Sequence, residues 1–344
     1  MGDTQNDLTL EEIGKIAGVS RSTVSRVLNN HAHVRPDVRA RVEEVIEETG
    51  YLPNQAARAL VSNRTGLIGL VMATDVDELF GDPYYSALVH GIQEGSSASG
   101  SVFSIFPVYG QHGETVVLST LVARGFVDGV IITAGPGSER LIGALRQRGK
   151  RMVVVGHPVD DRDLVRVDVE NRAGSRSAVS HLIGLGRARV GFVGPTAKYV
   201  FGVERIAGYR DAMAEAGRPI DDDLIRLDEP TTEGGYRAAT AVLSSRPDAL
   251  HVATDPMAVG AFRAFREHGV AVPDDIAVVG FDGLPRAPST EPSLTTIVQP
   301  VSDVGRTAVE LLQGEHPEPQ VVVLPTHLHI GDSCGARRTS GRSV

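Results

Sequence analysis

Apolar residues recur at helical spacing in three short runs near the start of the chain. Leu10, Ile13 and Ala17 share one face, Val24, Val27 and Leu28 a second, and Val38, Val42, Val45 and Ile46 a third. Thr9-Leu10-Glu11-Glu12 has the form of a capping box, in which hydroxyl and carboxylate satisfy each other's backbone N–H, so the first helix starts there. Gly18 falls where a helix exit calls for a left-handed residue, Val19 turns back toward the core, and Ser20 is placed to cap the second helix. Residues 29–33 read as a loop, Pro36 suits the first turn of the third helix, and Gly50-Tyr51-Leu52-Pro53 stops it. Residues 54–60 are good helix formers, but so short a segment does not hold a helix unaided.

From Gly66 the period changes. Apolar runs at 66–72, 128–133, 151–156, 189–194, 248–254 and 275–282 alternate with amphipathic helical stretches. Continuous apolar runs between helices are the mark of parallel strands covered on both faces, so the fold class is α/β. Two series of such units imply two lobes rather than one sheet. A helix over 300–313 and strands near 319–324 and 326–330 complete the expected order, and the last residues read as a disordered tail.

Composition narrows the function. The chain has 344 residues, 41% of them hydrophobic and 22% charged, and no uninterrupted apolar run long enough for a transmembrane helix. Its polar, acidic start lacks the features of a signal peptide, which leads to an expectation of a cytoplasmic protein with no membrane partner. Cys334 is the only cysteine, excluding an intrachain disulfide, and reads as a thiol of no special role beside a polar tail. The histidines have no metal-ligand spacing, so neither a metal nor a cofactor is expected. There is no G-x-S-x-G, no P-loop and no G-x-G-x-x-G after a strand, and Gly135-Pro136-Gly137 follows a strand without a P-loop lysine. An enzyme is therefore not expected.

Net charge is −9, yet Lys15, Arg21, Arg26, Arg35, Arg39 and Arg41 lie in a segment whose single acid is Asp37. Two short helices joined by a turn containing Gly, with a third helix behind them, make a helix-turn-helix unit. The outer face of its second helix carries Arg21, Ser22, Ser25, Arg26 and Asn29 and no acid. A guanidinium fork matches guanine O6 and N7, and small hydroxyls approach phosphates closely. That face points to double-stranded DNA.

The segment LTLEEIGKIAGVSRSTVSRVLNNHAHVRPDVRARVEEVIEETGYLPNQAARAL closely resembles the DNA-binding headpiece of the LacI/GalR family of bacterial repressors. The resemblance continues through DVENRAGSR, HLIGLGRARVGFVGP, ERIAGYRDAM, DPMAVGAFRAF, DIAVVGFDG and PSLTTIVQP. It implies a three-helix headpiece at 8–52, a hinge helix and linker at 53–65, and a two-lobed periplasmic-binding-protein-like domain at 66–330. One lobe would take about 66–165 and 296–330, the other about 166–295, with 1–7 disordered and 331–344 flexible. Arg21, Ser22 and Arg26 would then read bases in the major groove. Thr9, Ser20, Thr23, Ser25, Asn29 and Asn54 would hold the DNA backbone. Leu60, otherwise an ordinary linker leucine, would wedge into the minor groove.

In the large domain the resemblance assigns the effector to Tyr84, Tyr85, Arg205 and Asp282, at strand ends facing a cleft. Read without it, the tyrosines are core aromatics and the Arg–Asp pair a structural salt bridge. His157, also at a strand end, is either a pocket residue or a surface histidine. Thr254 stands where sugar-responsive relatives often carry Asn, and its single hydroxyl offers fewer directed hydrogen bonds. No leucine heptad follows residue 330, so a homodimer is expected rather than a coiled-coil tetramer. The reading is a transcriptional regulator, a repressor of this type, on a palindromic operator under a sugar-like effector. The alternative is a solute-binding protein of the same fold.

Overall fold

A computed structural model describes residues 8–28, 31, 33–51, 64–72, 76–108, 110–123, 126–158, 163–284, 290–315 and 319–336. Asn29, Asn54 and Leu60, and with them the expected hinge helix, lie outside the described residues. The chain divides into two compact units, Met1–Thr65 and Gly66–Val344.

The first unit holds helices α1 (Leu10–Ala17), α2 (Arg21–Leu28) and α3 (Pro36–Thr49). The capping box at Thr9 forms as read, with Glu12 N–H donating to Thr9 Oγ1 at 3.3 Å and Thr9 N–H to Glu12 Oε2 at 2.7 Å. Gly18 takes φ 67°, which a side chain would resist, and lets Val19 N–H reach Gly14 O at 2.8 Å. Ser20 Oγ accepts from Thr23 N–H at 3.2 Å and so caps α2. Ile13, Ala17, Val24, Val27, Val42, Val45 and Tyr51 are buried together, with Val38 and Ile46 of the third stripe only half-buried. So small a core leaves the outer faces of α1 and α2 unconstrained by packing.

The second unit is built on two six-stranded sheets. Its first sheet comprises β1 (Leu67–Met72), β2 (Val102–Pro107), β3 (Gly129–Thr133), β4 (Met152–Val155), β5 (Arg166–Val169) and, from far along the chain, Val321–Leu324. Between them run α4 (Val76–Gly81), α5 (Pro83–Ala98), α6 (Gly110–Val122) and α7 (Ser138–Gln147). The chain then makes α8 (Asn171–Gly184), β6 (Val190–Pro195), α9 (Val200–Glu215), β7 (Ile225–Asp228), α10 (Thr232–Val242), β8 (Ala249–Val252), α11 (Asp255–Glu267), β9 (Ala277–Asp282) and β10 (Thr295–Val298). Helix α12 (Val301–Gln313) leads to β11 (Val321–Leu324) and β12 (His327–His329). The orders are β11-β5-β4-β3-β1-β2 and β12-β10-β9-β8-β6-β7. Every pairing is parallel except β10 with β12, so the purely parallel expectation misses one short antiparallel edge strand.

Strands β3, β6 and β9 are buried at every residue, as their unbroken apolar runs require. Helices α10 and α11 pack almost backbone to backbone: a Cβ on Gly260 would stand 1.9 Å from Thr232 O. Strands β2, β5 and β7 were not anticipated. Charged residues interrupt β7 (Ile-Arg-Leu-Asp) and β5 (Arg-Val-Asp-Val), whereas the edge strand β2, Val-Phe-Ser-Ile-Phe-Pro, has an apolar run broken only by Ser104.

These strands also move the lobe boundaries. β5 pairs with β4 and β11 in the first sheet, so residues 166–169 belong to the first lobe rather than the second. β10 and β12 belong to the second sheet, which takes residues 296–298 and 327–329 from the first lobe. Among the described residues the chain therefore passes between sheets three times, near 169–171, 298–301 and 324–327. Residues 331–336, expected in a flexible tail, are part of the second unit's packed structure. Ser333 and Cys334 are buried, and Ser333 Oγ donates to Val278 O at 2.7 Å while accepting from Thr295 N–H at 2.8 Å. Cys334 is thus a core residue, its Sγ 3.3 Å from His181 Nε2.

Candidate functional site

In the headpiece, Arg21, Ser22 and Arg26 are exposed on α2, with Thr23 and Ser25 half-buried beside them. Ser20 Oγ lies 2.8 Å from Ser22 Oγ and 2.9 Å from Thr23 Oγ1, a cluster of hydroxyls at the helix start. The first turn of α2 has no acid, so its free N–H groups and partial positive charge meet no internal anion. The other basic residues are partly spent on the headpiece itself. Arg35 forks onto Asp37 at 3.1 and 2.9 Å, Arg39 donates to His31 O at 2.8 Å, and Lys15 lies 3.9 Å from Glu11. Among the described residues Arg21, Arg26 and Arg41 have no such partner. Thr9, assigned to the DNA backbone, has its hydroxyl on Glu12 at 2.8 Å.

In the large unit, a cavity opens between the lobes where strand C-termini of both sheets converge. Tyr84, Tyr85 and His157 of the first lobe and Arg205, Thr254 and Asp282 of the second all line it, so the structure brings the six residues to one cavity. Asp82 accepts Tyr84 N–H at 2.8 Å as the cap of α5, and this sets the two tyrosines at the cleft with rings 5.6 Å apart and nearly perpendicular. Burial holds the Tyr84 phenol neutral well above its ordinary range, so it is a donor.

Arg205 and Asp282 form the centre. Asp282 Oδ1 accepts from Gln299 Nε2 at 2.8 Å and from Arg205 Nη1 at 3.3 Å, and Oδ2 accepts from Asp255 N–H at 3.2 Å. Arg205 also donates to Ala253 O at 2.8 Å and to Asn171 Oδ1 at 2.9 Å. Its guanidinium carbon lies 3.6 Å from the centre of the Phe281 ring and 4.9 Å from that of Phe201. Asp282 has a backbone φ of 135°, a region favouring glycine, so the carboxylate is held at some conformational cost. Thr254 caps α11, its Oγ1 accepting Met257 N–H at 3.2 Å, which leaves the hydroxyl proton for another acceptor. His157 lies 3.4 Å from Glu204 Oε1 and is half-buried.

Burial dominates the electrostatics. The Asp255 carboxyl, taking Thr296 Oγ1–H and Gly283 N–H at 2.8 Å each, is pushed up to about 8 by burial and then by Asp282. Asp168 is raised to about 6, mainly by burial. The cavity wall carries Asp82, Glu139, Asp168 and Asp282 against the fixed cations Lys198 and Arg205. Both cations are matched already, Lys198 Nζ to Glu229 Oε2 at 2.7 Å and Arg205 to Asp282.

Sequence reading missed Asp168, Asn171, Lys198, Tyr199, Phe201 and Gln299, all of which line the cavity. Tyr199 and Phe201 could have been suspected, being two aromatics after a strand in a chain with 5% aromatic residues. Asp168 and Asn171 lie in the motif DVENRAGSR and Gln299 in PSLTTIVQP, which marked these stretches without singling out the residues.

An exposed helix-turn-helix face and a two-lobed cleft on one chain define a DNA-binding regulator with a ligand-binding-type domain. Comparison with known proteins agrees. Residues 9–54 match the family of bacterial regulatory proteins of the lacI type, and residues 179–334 a periplasmic binding protein-like domain. The transcriptional regulator CelR of Thermobifida fusca is 36% identical over 94% of this chain and 98% of its own. DegA of Bacillus subtilis is 33% identical over 96% and 99%. A CelR–cellobiose complex superposes with a TM-score of 0.75 at 33% identity, covering 95% of this chain and 99% of that one. A lac repressor dimer bound to operator and the anti-inducer ONPF gives 0.79 at 27%, covering 96% and 99%. The chain belongs to the LacI family and is a DNA-binding transcriptional regulator. No helix among its described residues is long and apolar enough to cross a membrane.

Proposed function

We propose that the protein is a repressor that binds a palindromic operator as a homodimer and responds to a neutral sugar, of disaccharide type, in the interlobe cleft. The observation that carries the effector assignment is the charge state of that cleft. Its two cations are already matched and its wall is otherwise acidic, so a phosphate or carboxylate would meet repulsion without a free counter-charge. Sugar hydroxyls find Asp282, Arg205, Asp168 and Asn171 as donors and acceptors, and sugar C–H faces find Tyr84, Tyr85, Tyr199 and Phe201. Cellobiose in the CelR complex is a ligand of this kind. In the headpiece, Arg21, Ser22 and Arg26 would read bases, while Ser20, Thr23, Ser25 and the capped Thr9 position the backbone.

The test is a melting series with neutral disaccharides, cellobiose first, beside their phosphorylated and oxidised counterparts. A neutral sugar at about a hundred times its Kd should stabilise by about 2.7 kcal/mol. Tighter binding by a phosphorylated sugar would overturn the assignment. Selection of operators from a random duplex pool, with and without the active sugar, then gives the sign of the response.

A further inference from the structure

Five buried polar side chains form one continuous chain across the floor of the cleft. Asp168 Oδ1, at the end of β5 in the first lobe, accepts Asn171 Nδ2–H at 3.1 Å. Asn171 Oδ1 accepts Arg205 Nε–H at 2.9 Å, Arg205 Nη1 meets Asp282 Oδ1 at 3.3 Å, and Gln299 Nε2 donates to the same oxygen at 2.8 Å. None of the five is more than 8% exposed. The two ends are the telling part. Asn171 stands in the first passage of the chain between lobes and Gln299 in the second, where its own N–H also donates to Asp282 O at 3.1 Å.

We propose that Asn171 and Gln299 are positioning residues that transmit ligand contact at Arg205 and Asp282 to the two interlobe crossovers. The inference rests on the reading of the cleft as the effector site. A ligand hydroxyl that bonds Asp282 Oδ1 shares the oxygen that holds Gln299 at one crossover and Arg205, which in turn holds Asn171 at the other. Lone pairs on Asp282 Oδ1 are limited, and it has two donors before any ligand arrives. Ligand binding therefore re-partitions bonds that fix the backbone at 169–171 and 298–301, the segments about which the lobes turn. Only a difference in bonding between the two lobe arrangements is needed for the ligand to shift their balance.

The decisive variant is Gln299→Met, of similar length but unable to donate. Two measurements on the full-length protein separate the outcomes. In the absence of sugar, amide exchange should quicken by tenfold or more at 299–304 and also at the distant crossover, 166–171. Quickening at 299–304 alone would overturn the relay, as a merely local role predicts. With cellobiose as probe at saturation, the sugar-induced change in operator affinity should fall at least tenfold. Loss of sugar affinity with the operator response per bound sugar intact would make Gln299 an ordinary contact and sink the proposal. If cellobiose does not bind the parent protein, the choice of effector fails while the exchange result still decides the relay. Should Gln299→Met not fold, Asn171→Asp keeps the acceptor for Arg205 and loses the bonds to Asp168 and Val169 O, both within the first crossover. It should quicken exchange at 166–171 and, through Arg205, at 299–304; unchanged exchange at the latter refutes the link.

Discussion

Replacing Asp282 by Asn changes one atom and tests the centre of the site. Asp282 and Arg205 are a buried pair, with side chains 8% and 4% exposed, and removing one partner of such a pair typically costs about 3–5 kcal/mol. The amide has no comfortable orientation. With its oxygen toward Gln299 and Arg205, its NH2 faces the Asp255 N–H; reversed, it faces two donors. Either way a buried donor is stranded, at about 1–3 kcal/mol, largely the same loss counted from the other side. Two features temper it. Arg205 keeps the Ala253 and Asn171 oxygens, and Asp255, freed of the neighbouring charge that helps raise its carboxyl, can ionise and balance the guanidinium. The net expectation at neutral pH is about 2–4 kcal/mol. Adding Asp255→Asn removes the substitute charge, so the double variant should be less stable than the sum of the single effects. With no tryptophan in the chain, urea unfolding is followed by circular dichroism. A loss below about 1 kcal/mol, or strict additivity with Asp255→Asn, would refute the reasoning.

The remaining predictions are shorter. Arg21→Ala should cost about 1–3 kcal/mol of operator affinity and relax preference at one base position while the melting temperature stays unchanged; a lower melting temperature with intact preference would assign Arg21 to structure. Stability should fall from pH 6.5 to 8, because the folded Asp255 carboxyl, raised to about 8, retains a proton the unfolded chain has released. His251, held down to about 4 by burial, acts in the opposite sense only below about 6.5, and Asp255→Asn should flatten the slope above that point. Gly260→Ala drives a Cβ into Thr232 O and should destabilise by about 1–3 kcal/mol or more, read from the urea midpoint. Cys334 should react with a thiol reagent orders of magnitude more slowly in the folded protein than in urea, and equal rates would contradict its burial.

The readable parts of the sequence are those whose physics is local. The Thr9 capping box, the left-handed Gly18 and the acid-free face of α2 each depend on residues a few positions apart, and each stands in the structure as its spacing implies. Buried central strands announce themselves because an apolar run needs cover on both faces. β5 does not, since Arg166 and Asp168 interrupt it and its place is set by partners at 152–155 and 321–324. That hidden strand displaced the lobe boundary and, with it, the first crossover. Arg205 and Asp282 were reachable because the resemblance attaches a role to their motifs; Asn171 and Gln299 also lie in matching motifs, DVENRAGSR and PSLTTIVQP, but act through residues 34 and 17 positions away.

The same geometry ties stability to response. A buried ion pair is often no more stabilising than apolar residues of equal volume, so nothing in folding alone demands Arg205 and Asp282 under the cleft. What an apolar replacement cannot do is offer a ligand hydroxyl a bond that is simultaneously holding a crossover. Asp282 is kept at a φ of 135°, beside a carboxyl raised to about 8, with its two oxygens divided among three protein donors. Each of these is a cost that a purely structural site would shed. A double replacement of the pair by apolar residues strands the Asp255 N–H, Gln299 Nε2 and Asn171 Oδ1, so it should lower stability and leave the operator bound with an affinity that no sugar alters.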